Sequence, residues 1–125
     1  MAMTTLEVGK KLVDLCKQGK TQEAMETLYS PDIVSIEAAG SPEMPAELRG
    51  YKAVEGKAKW WFENHTIHSA DAAGPFPHGD RFIVVFAYDI TSKPMGNKRI
   101  KMDEAALYTV KDGKIIREEF FYVTG

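Results

Sequence analysis

Three acids in this chain fall on strand positions where apolar side chains are expected. In "DRFIVVFAYDITSK" (80–93), two-residue alternation puts Val85, Ala87 and Asp89 on one face and Phe82, Val84, Phe86 and Tyr88 on the other. In "KRIKMDEAALYTV" (98–110) Met102, Glu104, Ala106 and Tyr108 line up. In "KIIREEFFYV" (114–123) Ile115, Arg117, Glu119 and Phe121 do. Small Ala87 and Ala106 beside Asp89, Glu104 and Glu119 leave room, and a room lined by acids reads as a pocket. A carboxyl left unpaired in an apolar setting has a raised pKa, which suits general acid–base work. The competing reading is an ion-pair network with Arg81, Arg99 or Arg117, in which the acids are structural.

The same parity adds Tyr108 and Phe121 to the expected cavity. Trp61 comes from a helix, Glu37 from the end of a short strand and His68 from a weak one. Asp89, Glu104, Glu119 and His68 are the catalytic candidates, with a carboxyl moving a proton while Tyr108 or His68 stabilises oxyanion charge. Glu37, Trp61, Tyr108 and Phe121 are the ligand-binding candidates. A lone histidine is also an ordinary structural residue. His65, His68 and His78 do not reproduce a zinc-ligand spacing, so no metal is expected. Cys16, the one cysteine, has no Cys or His neighbour at ligand spacing and reads as a buried, inert thiol.

The elements that must hold these groups follow from periodicity. Val8, Leu12, Leu15 and Cys16 recur at helical steps between Thr5, a candidate N-cap, and Gly19, a candidate stop. Thr21 can cap a second helix carrying Met25, Leu28 and Tyr29, ended by Ser30-Pro31. The strand "DIVSIEA" follows, then "AGSPEMPAELRG" (39–50), aperiodic and read as a loop, either a plain connector or a lid. Residues 51–64 return to helical spacing, with Val54, Ala58, Trp61 and Phe62 on one side. Trp60 and Trp61 lie about 100° apart on a helix, so one meets the core and the other a rim or interface. A weak strand near 66–73, the turn "GPFPHGD" and three longer strands joined at "PMGN" and Asp112-Gly113 complete the chain. Helices first and a meandering sheet after them imply α+β, with the helices packed on one curved face.

The 125 residues, 44% hydrophobic and 27% charged, suit a single domain over 1–125 with a real core. A formal net charge of −2 and the lack of a basic block interleaved with aromatics argue against a nucleic-acid partner. No apolar run approaches the roughly 20 residues of a membrane span, and the N-terminus lacks signal-peptide order, so no membrane association and a cytoplasmic location are expected.

With these residues laid out, the chain resembles the SnoaL-like family of the nuclear transport factor 2-like superfamily over nearly its whole length. The likeness is carried by "TLYSPDIVSIE", "GYKAVEGKAKWWFENH", "GDRFIVVFAYDIT" and, most specifically, "LYTVKDGKIIREEFF". The resemblance implies a cone in which a strongly bent, mostly antiparallel sheet wraps around three helices and leaves an interior pocket for a small apolar molecule. It also implies chemistry without a cofactor, of the kind performed by the polyketide cyclases, ketosteroid isomerases and dehydratases of that superfamily, or else a binding or dimerisation module. The cyclases carry Gly-Thr-His near the third strand, where this chain has Asp89-Ile90-Thr91, and their later catalytic aspartate falls near Ala106. Neither residue transfers, and the "EEFFY" ending marks a different branch. A homodimer is expected, because strands apolar on both faces need two covers. The face of Phe82, Val84, Phe86 and Tyr88, with Leu107, Phe120 and Tyr122, is the expected sheet-to-sheet contact.

Overall fold

The computed structural model describes residues 2–42 and 44–123. Its first helix, α1 (Thr5–Lys17), begins one residue earlier than a Thr5 cap would require. Thr4 is the N-cap, its hydroxyl accepting from the Glu7 amide at 3.2 Å while the Glu7 carboxylate accepts from the Thr4 amide at 2.9 Å. This reciprocal capping box satisfies two amides that have no partner inside the helix. Val8, Leu12 and Leu15, three or four residues apart, form the buried stripe. The second helix, α2 (Thr21–Leu28), runs directly into β1 (Tyr29–Ile36), and α3 (Tyr51–Asn64) precedes β3 (His65–His78).

The remaining strands are β2 (Glu47–Arg49), β4 (Arg81–Ser92), β5 (Lys98–Lys111) and β6 (Lys114–Phe121). They form one open, mixed sheet in the order β2-β1-β6-β5-β4-β3, parallel only between β1 and β6. The class is α+β. Two sequence expectations change at this level. Residues 47–49, read as loop, pair with Val34–Ile36 as a short edge strand. The "GPFPHGD" turn is mostly strand: β3 passes through a register shift between Ala73 and Phe76 and turns only at Gly79-Asp80. A bulge lets a strand carry Gly and Pro without ending.

Register then decides which side chains meet. Phe82 pairs with Tyr108, Val84 with Ala106, Phe86 with Glu104 and Tyr88 with Met102, and these pairs point to the concave side covered by the helices. The face expected to join a second copy is therefore the core. Phe82 and Val84 are at most 1% exposed, packed with Val8, Leu12, Leu28, Ile33 and Val54. Between β5 and β6 the register slips by one residue at the hairpin. Val110 faces Ile115, but Thr109 faces Arg117. Ile116 is the extra residue, and beyond it the alternation inverts: Glu118 and Phe120 point inward, Glu119 and Phe121 outward.

At Asp112-Gly113 both residues have positive φ (52° and 76°), as a two-residue type I′ turn requires, so this hairpin matches its sequence signal. No described helix is long and apolar enough to cross a membrane.

Candidate functional site

A cavity of about 130 Å³ lies between the three helices and the concave face of the sheet. Its apolar wall comes from Leu12 and Cys16 of α1, Ala24 and Met25 of α2, Val54 and Trp61 of α3, and Phe86 and Phe120 of the sheet. The polar groups are few and converge from different elements: Glu37 just past β1, Lys57 from α3, Tyr88 from β4, Glu104 and Tyr108 from β5, and Glu118 from β6. An apolar enclosure with a handful of oriented polar groups is the usual form of a small-molecule site. The volume is close to that of a cavity that accepts a benzene ring, roughly 150 Å³.

The polar groups divide into a fixed set and a free one. Lys57 Nζ donates to Ser35 Oγ, lies 3.2 Å from Glu37 Oε2 and sits 5.0 Å above the Phe120 ring. Tyr122 donates to Glu37 Oε1 at 3.4 Å. Glu118, 3% exposed, accepts from the Tyr29 hydroxyl. Burial raises the Glu118 pKa, and the Lys57 ammonium and the Tyr29 and Ser35 hydroxyls pull it back only in part. Glu104 has no hydrogen bond or ion pair among the described residues. Burial first, then the negative charge of Glu37, push its carboxyl up to about 7, against the opposing pull of Lys57. That value puts both protonation states within reach near neutral pH. Burial also lifts Tyr29, Tyr88 and Tyr108 well above the ordinary phenol range, so their hydroxyls stay protonated as donors. The Cys16 thiol, pushed up to about 11 mainly by burial, remains a neutral wall.

Of the residues singled out in the sequence, Glu37, Trp61, Glu104 and Tyr108 are brought together around this cavity. Trp61 faces it, its ring centroid 5.4 Å from that of Tyr88, whereas Trp60 is exposed. Asp89, Glu119, His68 and Phe121 are not part of the group, and the expectation that one cavity gathers all the acids is corrected. Asp89 accepts two hydrogen bonds from Arg99, both 3.0 Å, and this hydrogen bonding holds its carboxyl below the usual range. Glu119 accepts from Arg117 Nε at 2.7 Å. His68 is exposed and bonds the Thr91 hydroxyl, and Phe121 points outward, 53% exposed. The physical reason is register. Asp89 pairs with Lys101 and not with a pocket residue, and the extra residue Ile116 turns Glu119 away while turning Glu118 in.

Sequence reasoning missed Lys57, Glu118, Tyr29 and Tyr88. Lys57 was legible, since 54, 57 and 61 follow the three- and four-residue steps of one helical face. Glu118-Glu119 carried a weaker signal: of two adjacent acids in a half-buried strand, one must face inward.

Comparison with known proteins agrees with this fold. The sequence model of the SnoaL-like domain matches residues 3–122. A crystal structure from Mesorhizobium loti, described as a candidate SnoaL-like polyketide cyclase with "carbohydrate phosphatase" added, is 42% identical. It superposes with a TM-score of 0.90 over 96% of this chain and 100% of that one. An NTF2-like protein from Burkholderia thailandensis is similar at 21% identity and a TM-score of 0.78, over 97% of this chain and 92% of that one. A candidate isomerase from Bacillus subtilis has 16% identity and a TM-score of 0.76, over 97% and 90%. The last two likenesses concern the fold alone. No protein of curated function matches this chain.

Proposed function

The chain belongs to the SnoaL-like domain family, and from that premise we propose that it is an acid–base enzyme acting on a small, ring-containing carbonyl compound. The reaction is of the isomerase, cyclase or dehydratase type. The observation that carries this reading is Glu104, desolvated, without a partner among the described residues and facing a ring-sized apolar cavity. In its ionised form Glu104 accepts a proton from the carbon next to the carbonyl. The C–H electron pair moves into the C–C bond and the carbonyl oxygen becomes an enolate. Tyr108 and Tyr88, held protonated by burial, are the donors available to that oxygen. Where the substrate carries a C=C bond one carbon further on, the enolate extends into it as a dienolate, and return of the proton from Glu104 to the far carbon of that bond completes an isomerisation with no net gain or loss of atoms. Lys57 and Glu37 hold the charge balance around the base.

The test is proton exchange at the carbon next to the carbonyl in small cyclic ketones and enones, followed by NMR in deuterated buffer. Exchange above the buffer rate, a pH inflection near 7 and a loss of roughly a hundredfold or more in Glu104→Gln are expected. Ketones that bind without exchanging would assign the pocket to a non-catalytic binding module.

The same reading includes a homodimer through the outer face of the sheet. Ile83 and Val85 on β4 and Phe121 on β6, with β5 between, are 40%, 39% and 53% exposed there. A second copy placed sheet against sheet buries that patch in both partners. Light scattering is expected to give twice the mass of one chain and to fall to a single-chain mass in Val85→Lys. A single-chain mass for the unaltered protein at micromolar concentration would end the dimer proposal.

A further inference from the structure

We infer that the pocket selects its ligand by charge: it accepts an uncharged cyclic ketone, binds the same ring more tightly when it carries a protonated nitrogen, and excludes rings bearing a carboxylate or phosphate. The inference rests on the cavity being a small-molecule site and adds what kind of molecule it takes.

Among the described lining residues there are three carboxyls, Glu37, Glu104 and Glu118, one ammonium, Lys57, and neither arginine nor histidine. The single cation is already engaged by Ser35 Oγ, the Glu37 carboxylate and the Phe120 ring. An entering anion has to take Lys57 away from Glu37, leaving that carboxylate without its partner in a partly desolvated setting. It must also lie close to Glu104 and Glu118. Both effects oppose binding.

An ammonium meets the opposite conditions. Glu104 has no ion pair among the described residues, and the rings of Trp61 and Tyr88, which line the same cavity, favour positive charge over their faces. A second observation points to the other end of the ligand. Tyr108 is 2% exposed, lines the same cavity, and its hydroxyl has no hydrogen-bond partner among the described residues. A hydroxyl that lines the cavity without a protein acceptor is free to donate, and a ligand carbonyl is an acceptor for it. Tyr108 and Glu104 lie on the same face of β5 on either side of buried Ala106, so one ring can present its carbonyl to the first and its nitrogen to the second.

Three probes on one skeleton test this by ligand-observed NMR titration at pH 7.5: protonated 4-aminocyclohexanone, cyclohexanone and 4-oxocyclohexanecarboxylate. The aminoketone is expected to bind about tenfold more tightly than cyclohexanone, as one added charge-assisted hydrogen bond allows, and the oxocarboxylate at least about tenfold more weakly. Glu104→Gln should remove the advantage of the amine, and Glu104→Asp, which keeps the charge, should retain most of it. Equal binding of the oxocarboxylate and cyclohexanone, an amine preference that survives Glu104→Gln, or no binding of any probe would overturn the inference. Cyclohexanone binding without the charge ranking sinks this inference alone. The ranking without proton exchange sinks the catalytic reading alone.

Discussion

Asp89 and Glu119 on the outer face, and Glu104 and Glu118 on the inner one, sit on the same three strands and have opposite electrostatic fates. Each outer acid is held by an arginine in reach of solvent, Asp89 by Arg99 and Glu119 by Arg117. Neither inner acid has an arginine, and both are pushed toward the protonated form chiefly by burial. Even adjacent carboxyls, as Glu118 and Glu119 are, thus become a proton carrier or a surface ion pair according to which side of the pleat they occupy. The helices that cover one side remove water, and removal of water penalises the charged form.

Breaking the inner set should have the largest effect. Lys57 lowers the pKa of both Glu104 and Glu118. Without it, Glu37 loses its ion pair, and both inner carboxyls titrate still higher. Lys57→Met should cost about 3 kcal/mol at pH 8, at the lower end for a broken buried pair. An acid whose folded pKa lies above its unfolded value costs stability as pH rises past the unfolded value, so the defect should shrink toward pH 4.5. Urea unfolding at the two pH values measures it, and a defect independent of pH would mean that Lys57 acts only through packing.

Glu104 itself should show the reverse sign. Its carboxyl moves from 4.5 to about 7 on folding, so ionisation opposes folding from pH 4.5 upward, and the full penalty is reached above pH 7. Glu104→Gln removes that penalty. It should stabilise the protein by on the order of 3 kcal/mol at pH 8 and change little below pH 4.5. Equal stability of the two proteins across this range would place Glu104 in contact with water.

On the outer face the expected effect is smallest. Surface ion pairs contribute little, because water reaches the arginines and screens the attraction, although the Asp89 and Glu119 side chains are only 17% and 26% exposed. Asp89→Asn and Glu119→Gln should leave unfolding curves at neutral pH superimposable on those of the parent. A marked loss in either would mean that a second copy buries that face and the pair with it.

The fold was largely legible before any coordinates. The helical steps of Val8, Leu12 and Leu15, the Asp112-Gly113 turn and the alternation in residues 80–110 are local signals, and each acts through backbone geometry within a few residues. The candidate site was legible only in part, because parity places a side chain relative to its own strand and says nothing of the neighbouring strand. Glu104 and Tyr108 were grouped correctly because both lie on β5. Asp89 was misplaced because its partner across the ladder is Lys101, a matter of register between strands. Glu119 was misplaced because the extra residue Ile116, accommodated by the tertiary pairing of β5 with β6, inverts the alternation. The sequence by itself determined most of the element types, the α+β arrangement and the presence of acids in an apolar setting. Only the tertiary structure decided which of those acids lost water, since desolvation depends on what packs above a side chain, and here that is Lys57 and Trp61 of α3 together with α1, elements distant along the chain.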